Sequence, residues 1–457
     1  MLRVINPATQ DVIAELPEDN AQTLPQKTRT ARSAQPDWAR TPLSDRLAAV
    51  RRFRDLLQSR RESLAATLTS EVGKPIRQSR NELNAMQARI DFFLEHTGEA
   101  IEDEVVHLAP GSPSMEERIH FEPLGVVANI SAWNYPYFVG SNVYLPALLT
   151  GNVVLYKPSE FATLSGLDVA GMLHEVGIPR EVFQPIIGAG EIGRALVQED
   201  IDVVCFTGSY ATGRKIAEVA APRLLRVQLE LGGKDPAYVC DDVDVPGAAA
   251  ALVEGSFYNA GQSCCAVERV YVHRRIGKSF IEAFTEAARA LVVGDPRDER
   301  TDIGPLARRA QLDVLEAQVG DAVTKGARLV LGGKRCSGRG NYFETTVLTN
   351  VDHRMALMRE ESFGPIIGVQ EVSDDKEAVA LMNDTDYGLT AAVYTPDRAR
   401  AERILAEVNA GSAYWNCCDR VSPRLPWSGR KHSGLGTTLS VAGIRAFVQP
   451  KAWHLRG

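Results

Sequence analysis

The sequence predicts an α/β protein with two doubly wound, open parallel sheets, and three observations favour this class. The chain has 457 residues, which is too long for one ordinary hydrophobic core. Apolar strands and helical segments alternate from residue 124 to about 232. They alternate again from residue 234 to about 416, a pattern typical of parallel sheets covered by helices on both faces.

The residues before the first sheet divide into a strand pair and a helical stretch. Residues 1–20 read as two short strands joined by a turn at Asn6-Pro7. Residues 21–98 carry the apolar spacing of amphipathic helices, and Pro42 is well placed at a helix entry. We expect these helices to be broken once, at residues 71–75.

The strands of the two sheets are short apolar runs bounded by turn residues. In the first alternating stretch they are Gly125 to Ile130, Asn152 to Tyr156, Phe183 to Ile187, Val203 to Phe206 and Val227 to Leu231. In the second they are Ala237 to Val239, Val270 to Val272, Arg328 to Leu331, Ile366 to Gln370 and Ala391 to Tyr394. Residues 117–122 and 446–454 are also strand-like, outside both stretches.

Composition argues against several classes of function. The formal net charge is −7, whereas a nucleic-acid surface needs clustered basic residues, so we expect no nucleic-acid partner. No apolar run approaches the ~20 residues of a membrane span and the amino terminus has no apolar signal core, so we expect no membrane association. The seven cysteines are irregularly spaced, which suits a reducing cytoplasm, and they lack the spacing of a zinc site, so we expect no metal.

Two adjacent cysteines, Cys264 and Cys265, stand between a helical run that ends at Tyr258 and a strand that begins at Val270. A cysteine in such a loop can reach substrate, and its thiolate is a strong nucleophile when a nearby base or dipole makes it available. The alternative is that both are small buried hydrophobic side chains. From this segment alone the two interpretations have equal support.

Glu230 lies inside the strand-like run Val227 to Leu231 and is followed by Gly232 and Gly233. A buried carboxylate is costly unless it has a partner or a chemical role. Pairing with a lysine or arginine, or a place at the exposed end of the strand, would explain it equally well.

Taken together, LELGGKDP at residues 229–236 and FYNAGQSCCA at residues 257–266 resemble the two signature segments of the NAD(P)-dependent aldehyde dehydrogenase superfamily. The resemblance extends from INPAT at residues 5–9 to SGLG at residues 433–436. It implies an enzyme that oxidises an aldehyde with NAD, or with NADP as the other possible cofactor.

The resemblance also implies a mechanism. Cys264 matches the nucleophile of the family, Glu230 its catalytic glutamate, and Asn134 its oxyanion asparagine. The thiolate attacks the aldehyde carbon, the Asn134 amide and the Cys264 N–H stabilise the oxyanion, and Glu230 activates the water that hydrolyses the thioester left by hydride transfer. A turn asparagine also commonly caps backbone groups, and Cys265 is assigned to packing.

The predicted cofactor site combines a weak motif with family matches. Gly188 to Gly193 fits GxGxxG, but no carboxylate ends the next strand, so the ribose must be held elsewhere. Lys157 and Glu160, which follow a strand, are the candidates, and a surface ion pair is the alternative for them. The resemblance assigns to cofactor binding Ile130, Trp133, Lys157, Ser159, Glu160, Gly190, Gly193, Phe206, Thr207, Gly208, Ser209, Leu231, Glu361 and Phe363.

Segments near the carboxyl end match the walls of the family's substrate funnel. Tyr135 and Trp427 favour an apolar aldehyde, whereas Arg420 or Arg424 would suit the carboxylate of a semialdehyde. The loop between Asp419 and Trp427 is short relative to longer relatives.

The resemblance implies a division of the chain into three parts. Residues 1–103 and 124–232 are assigned to a Rossmann-like NAD(P)-binding domain and residues 233–436 to a catalytic domain. Residues 104–123 and 437–457 are assigned to a small β oligomerisation arm, which implies a homodimer or a homotetramer.

Three other functions differ from aldehyde oxidation in the residues or the cofactor that they need. A CoA-acylating member of the superfamily would lack a glutamate at the position of Glu230. A non-catalytic binding or structural member would need none of Cys264, Glu230 and Asn134. A cysteine hydrolase would act without NAD, so an assay for NADH formation separates it from the first prediction.

Overall fold

Two large sheets organise residues 1–110 and 114–457, which are the residues that the computed structural model describes. The strands are β1 (Leu2–Ile5), β2 (Val12–Leu16), β3 (Glu104–Ala109), β4 (Met115–Pro123), β5 (Val126–Ile130), β6 (Val153–Lys157), β7 (Phe183–Pro185), β8 (Val203–Thr207), β9 (Arg226–Glu230), β10 (Asp235–Val239), β11 (Val267–His273), β12 (Arg328–Leu331), β13 (Thr346–Thr349), β14 (Ile366–Val372), β15 (Thr390–Tyr394), β16 (Ser412–Trp415), β17 (Gly434–Leu435) and β18 (Val448–Arg456). The α-helices are α1 (Thr23–Arg40), α2 (Leu43–Ser59), α3 (Arg61–Val72), α4 (Ile76–Ala100), α5 (Pro136–Leu149), α6 (Thr163–Glu175), α7 (Gly190–Gln198), α8 (Tyr210–Ala220), α9 (Val245–Phe257), α10 (Gly277–Arg289), α11 (Ala310–Thr324), α12 (Asp375–Asn383), α13 (Arg398–Ala406) and α14 (Ser440–Arg445).

The first large sheet has the strand order β17-β9-β8-β5-β6-β7. The chain runs outward from β5 through β6 and β7, then returns to the other side of β5 for β8 and β9. The strand order therefore reverses between β5 and β8. In open α/β sheets the crevice at the carboxyl ends of the strands binds ligands at such a reversal.

The second large sheet has the order β12-β13-β14-β11-β10-β15-β16. The α/β class and the two predominantly parallel sheets are confirmed, and each sheet also has one antiparallel strand at an edge. β12 pairs antiparallel with β13, and β17 pairs antiparallel with β9. An antiparallel edge strand needs no crossover helix, so the strand and helix alternation of the sequence does not reveal its direction.

Several elements differ from their predicted form. The short strands β13 and β16 were not predicted. The helical stretch is broken three times rather than once, at Thr41-Pro42, at Arg60 and at the expected residues 73–75. The apolar spacing continues from α1 into α3, so spacing alone does not show the first two breaks.

The helices bury their apolar faces on the sheets in two separate clusters. One cluster surrounds β5 to β9 and includes Phe53 and Tyr144, and the other surrounds β10, β11 and β14 and includes Tyr238 and Phe284. No helix in the described ranges 1–110 and 114–457 is long and apolar enough to cross a membrane.

A third, smaller sheet has the antiparallel order β18-β4-β3. It contains β3, β4 and β18 from the segments expected to form an oligomerisation arm, whereas residues 437–447 lie outside the sheet and include α14, which packs on α4 and α5. Residues 111–113 of the expected arm lie outside the described residues. Val105, Val106 and Leu108 on β3 are 56%, 58% and 66% exposed, so apolar side chains face outward on this sheet.

Candidate active site

The carboxyl ends of the parallel strands meet at one edge of the first sheet. Ile130 of β5 lies in register with Lys157 of β6 and with Phe206 of β8. A cavity of about 890 Å³ opens beside this edge, and its wall contains both Glu230, which ends β9, and Cys264 from the loop after α9. The topology thus brings together side chains that are far apart in sequence.

The loop that precedes the cysteines is fixed by side-chain amides. Asn259 Nδ2 donates to the backbone carbonyls of Asn134 and Gln262, both at 3.1 Å. The Asn134 amide donates to the same Gln262 carbonyl at 3.1 Å. The Gln262 side chain in turn accepts from the N–H of Ala307 at 3.0 Å. These bonds hold the loop against the turn that carries Asn134.

The same loop takes three successive residues through left-handed backbone conformations. The φ angles are 54° at Asn259, 56° at Ala260 and 72° at Gly261. A Cβ atom at Gly261 would lie 2.4 Å from the carbonyl oxygen of Gly364, so this close backbone approach requires glycine. The tight turn places Ser263 and the two cysteines on the cavity wall.

Two N–H groups beside the half-buried Cys264 have no acceptor in the described part of the chain. The Asn134 amide has two N–H bonds and uses one of them for Gln262. The backbone N–H of Cys264 has no hydrogen-bond partner within residues 1–110 and 114–457. Asn134 is itself 4% exposed, so its side chain is held in place, and both donors are free to bind an oxyanion.

Cys265 is more deeply buried than Cys264, at 2% exposure. Its thiol donates to Asp419 Oδ1 at 2.9 Å, and Asp419 also accepts from Ser263 at 3.1 Å. The contact with the Cys264 sulfur, burial and the Asp419 carboxylate raise the pKa of the Cys265 thiol well above its usual range. Cys265 therefore remains protonated and packed.

Glu230 is a half-buried carboxylate whose described hydrogen-bond donor is the Thr438 hydroxyl. Burial raises the pKa of Glu230 to about 7, while the Thr438 bond and the positive charge of Arg89 oppose the rise. A carboxyl group with a pKa near the working pH is suited to take and return a proton. No lysine or arginine forms an ion pair with Glu230 among the described residues, so the pairing alternative is not what the structure contains.

Arg89 is a site residue that the sequence did not reveal. It lies on α4, is 1% exposed and lines the same cavity as Glu230. Its guanidinium stacks on the Phe138 ring at 3.3 Å from the centroid and donates to the Phe138 carbonyl and the Asn142 side chain. Burial lowers the pKa of Arg89 to about 9, and Glu230 opposes that fall.

Lys157 ends β6, at the same edge of the first sheet but outside the cavity wall. Its ammonium is buried, lies 4.0 Å from Glu160 and donates to the Pro158 carbonyl at 3.2 Å. Burial lowers the pKa of Lys157 and Glu160 raises it. The start of α7 packs against the Lys157 side chain, because a Cβ at Gly193 would be in ordinary van der Waals contact with it at 3.4 Å.

A second carboxylate, Glu361, lies in the wall of the same cavity as Glu230 and Cys264. The N–H of Gly233 donates to it at 3.0 Å, and a Cβ at Gly232 would lie 2.3 Å from its oxygen. Burial raises the pKa of Glu361 to about 8. Phe363 follows it and meets Trp133 edge to face, with ring centroids 5.5 Å apart.

These residues fit a dinucleotide. An ammonium has three N–H donors, and the buried Lys157 uses one of them, so it can bond sugar hydroxyls together with Glu160. Glu361, Phe363 and Trp133 supply a carboxylate and two aromatic faces beside Cys264, where a ribose and a planar ring can be held.

The structure gathers most of the predicted site residues around one cavity. Those in its wall are Trp133, Asn134, Tyr135, Thr207, Gly208, Ser209, Glu230, Leu231, Cys264, Glu361, Phe363, Arg420 and Trp427. Those at the same sheet edge but outside the wall are Ile130, Lys157, Ser159, Glu160, Gly190, Gly193 and Phe206. No cluster of three or more metal-ligating side chains occurs in the described residues.

Charged side chains lie near the aromatic residues that were predicted to favour an apolar aldehyde, Tyr135 and Trp427. The Tyr135 ring is covered by the Lys74 ammonium at 3.6 Å, and Lys74 is paired with Glu82 at 2.5 Å. Trp427 is buried at 5% exposure, whereas Arg420 is exposed at the rim.

Comparisons with known proteins agree with this geometry. Residues 1–453 match the aldehyde dehydrogenase family. Betaine aldehyde dehydrogenase 1 from Rhizobium meliloti (strain 1021) is 35% identical over 460 residues, which cover 100% of this chain and 94% of that protein. The crystal structure of lactaldehyde dehydrogenase from Escherichia coli has a TM-score of 0.95 and 34% identity, covering 99% of this chain and 95% of that one. A betaine aldehyde dehydrogenase from Staphylococcus aureus, solved in complex with NAD+, has a TM-score of 0.95 and 31% identity, covering 99% and 92%.

The fold and these matches define an NAD(P)-dependent oxidoreductase. The chain belongs to the aldehyde dehydrogenase family.

Proposed function

We propose that this enzyme oxidises an aldehyde to the free carboxylic acid, with Cys264 as nucleophile, Asn134 as oxyanion donor and Glu230 as general base. The observation that carries the proposal is the pair of free N–H groups beside Cys264, in a cavity that also contains the half-buried carboxylate of Glu230. Acyl transfer needs this combination of nucleophile, oxyanion donors and base.

In the first half of the proposed reaction, the Cys264 thiolate forms a C–S bond with the aldehyde carbon and the carbonyl oxygen becomes negative. The free N–H of Asn134 and the N–H of Cys264 donate to that oxygen. NAD(P)+ supplies the acceptor for the hydride that leaves the carbon. The carbonyl then re-forms as a thioester on Cys264.

In the second half, Glu230 takes a proton from water as the water attacks the thioester, and the C–S bond breaks to release the acid. The Thr438 hydroxyl, which donates to Glu230, orients the carboxylate. The presence of Glu230 argues against the CoA-acylating alternative, because transfer of the acyl group to CoA does not need a base that activates water. A non-catalytic protein would have no use for the free donors around Cys264.

The proposal extends to cofactor, assembly and compartment. Lys157 and Glu160 are proposed to hold the ribose of NAD in preference to NADP, and the β3-β4-β18 sheet is proposed to join subunits of a homo-oligomer. All seven cysteines are free, which is the state expected in a reducing cytoplasm. The division into cofactor domain, catalytic domain and arm is retained as part of this proposal.

The test is NADH formation from a panel of aldehydes by two single variants. Cys264→Ala is expected to abolish activity, whereas Cys265→Ala is expected to keep most of it, because the Cys265 thiol is buried and protonated. Equal losses in both variants would refute the assignment of the nucleophile. Hydrolysis of esters or thioesters that neither needs nor responds to NAD+ would instead support a cysteine hydrolase.

A further inference from the structure

Arg89 carries two nitrogens, Nε and Nη2, that have no hydrogen-bond acceptor in residues 1–110 and 114–457. Its third nitrogen, Nη1, is fully used, because it donates to the Phe138 carbonyl at 3.1 Å and to the Asn142 side chain. The side chain is 1% exposed and lies in the cavity wall. A buried charged donor without an acceptor is costly, so these two nitrogens point to a ligand.

The covalent geometry of a guanidinium defines the shape of that ligand. The N–H of Nε and one N–H of Nη2 lie along one edge of the plane and point in the same direction. Two parallel donors at this spacing match the two oxygens of a carboxylate. The stacking of Arg89 on Phe138 and the bonds of Nη1 fix the plane in advance.

The charge of Arg89 is not neutralised within the protein. The other buried cation near this wall, Lys74, is paired with Glu82 at 2.5 Å. Arg89 forms no ion pair with a carboxylate of the described residues, and Glu230 acts on it only as a nearby charge. The cavity wall therefore contains a positive charge that no carboxylate of the described residues pairs with.

The free edge of Arg89 lies a short distance from the proposed reaction centre. Phe138 and Asn142, which hold the guanidinium, follow Asn134 by four and eight residues on or beside α5. Asn134 itself lies before α5, and Phe138 and Asn142 lie in the first two turns of the helix, which together rise about 11 Å. A short carbon chain spans that distance.

We propose that Arg89 binds the carboxylate of the substrate, and that the enzyme therefore acts on semialdehydes, which carry an aldehyde at one end and a carboxylate at the other. This rests on the proposed aldehyde oxidation by Cys264. The product is a dicarboxylate, with the new carboxyl group formed at Cys264.

The charge distribution favours this class over two others. The aldehyde named for the betaine aldehyde dehydrogenases is a quaternary ammonium cation, which an unpaired buried guanidinium repels. A purely apolar aldehyde would leave both nitrogens of Arg89 without acceptors. Arg420, the carboxylate anchor expected from the sequence, is exposed at the rim, where water screens its charge.

The experiment compares kcat/KM, with NAD+, for paired substrates in the full-length enzyme. Semialdehydes of four, five and six carbons are each paired with the neutral straight-chain aldehyde of the same carbon count, and betaine aldehyde is added as the cationic member. The parent enzyme is expected to favour the best semialdehyde over its neutral partner by about 10²-fold or more. Because each ratio is taken within one protein, any effect of Arg89 on Glu230 cancels.

Three variants locate the origin of that preference. Arg89→Gln is expected to reduce the ratio of kcat/KM for the semialdehyde to kcat/KM for its neutral partner by about 10²- to 10³-fold. Arg89→Lys keeps the positive charge but lacks the two parallel N–H donors of the guanidinium. Its ratio of semialdehyde to neutral-aldehyde kcat/KM is expected to lie between the ratios of the parent enzyme and Arg89→Gln. Arg80→Gln, on the same helix but paired outside the cavity with Glu62 and Glu299, is the matched control and should keep the parent ratio. Activity of Arg89→Gln on neutral aldehydes shows that it folds.

Each other outcome overturns the proposal. If betaine aldehyde or the neutral aldehydes are the better substrates, the semialdehyde class is wrong while aldehyde oxidation stands. If Arg89→Gln lowers both members of a pair equally, Arg89 acts through Glu230 rather than on substrate. If Arg420→Gln removes the preference and Arg89→Gln does not, the carboxylate binds at the rim. NADH formation from none of the aldehydes overturns the proposed function together with this inference.

Discussion

Glu230 couples the proposed chemistry to pH. Burial raises its pKa to about 7, and only its deprotonated form can take a proton from water. The rate of thioester hydrolysis is therefore expected to rise as pH increases through about 7 and to level off above it. A pH profile of the steady-state rate checks this, under conditions where hydrolysis limits turnover.

Replacing Glu230 with glutamine is expected to stall the cycle after hydride transfer. Glutamine nearly preserves the volume but cannot accept the proton, and removal of a general base typically costs about 10² to 10⁴ in rate. The expected observation is a burst of NADH near one per active site, then slow turnover, with an acyl adduct on Cys264 detected by intact mass. A slowed burst would mean that Glu230 also deprotonates Cys264. Turnover at the parent rate would make Glu230 a structural carboxylate.

Glu160 is expected to set the preference for NAD. A 2′-phosphate would approach its carboxylate, and the Lys157 ammonium at 4.0 Å offsets part of the repulsion. Because the Glu160 side chain is one-third exposed, solvent weakens the effect, and Glu160→Ser is expected to shift the kcat/KM ratio toward NADP by about tenfold. A parent enzyme that already favours NADP would contradict this assignment.

The individual site residues differ in how far the sequence reveals them. Cys264, Glu230 and Asn134 lie in short segments whose residue types identify them, and the structure places all three in one cavity wall. Arg89 carries no such segment. Its signal is a charge at an apolar position of an amphipathic helix, four residues before Phe93 and three after Met86, and only the folded neighbours distinguish it from a surface arginine.

At the scale of the element, the loop from Asn259 to Gly261 determines where the proposed nucleophile lies. Gly261→Ala is expected to lower the melting temperature and to reduce kcat/KM by about 10²-fold. The added Cβ would lie 2.4 Å from the Gly364 carbonyl oxygen at a φ of 72°, and small displacements of reacting groups have large effects. Thermal unfolding and the NADH assay measure both effects.

The matched control is Gly320→Ala, in the exposed interior of α11, where an added Cβ meets no atom within 4 Å. This change is expected to stabilise the protein by about 0.5–1 kcal/mol and to leave activity unchanged. Parent-like activity in Gly261→Ala would show that the loop tolerates displacement.

The elements that the sequence predicted well are those with a long apolar run. β6, β8 and β15 are buried on both faces, so four of the five residues in each form a continuous run without a charged side chain. β13 and β16 contain four residues each, with threonine, serine or tyrosine among them, and their identity depends on the strand beside them. The direction of β12 and β17 likewise depends on pairing, which no local pattern encodes.

For the whole molecule, the outward apolar side chains of β3 predict association. Val106→Glu is expected to shift the enzyme to a smaller species in size-exclusion chromatography with light scattering, because a carboxylate is costly to bury in an interface. Val323→Glu, on α11 and 45% exposed, is the control that should leave the mass unchanged. A parent enzyme that is monomeric would remove the proposed role of the arm.

The hydrogen bond between Thr438 and Glu230 joins residues that are 208 positions apart in the chain. Ribosomes add about 5–20 residues per second, so roughly 10–40 s pass between synthesis of the carboxylate and synthesis of its partner. β17, which closes the edge of β9, appears in the same late interval. A nascent chain can therefore form most of the first sheet before its proposed base is oriented, so the proposed activation of water by Glu230 becomes possible only late in translation.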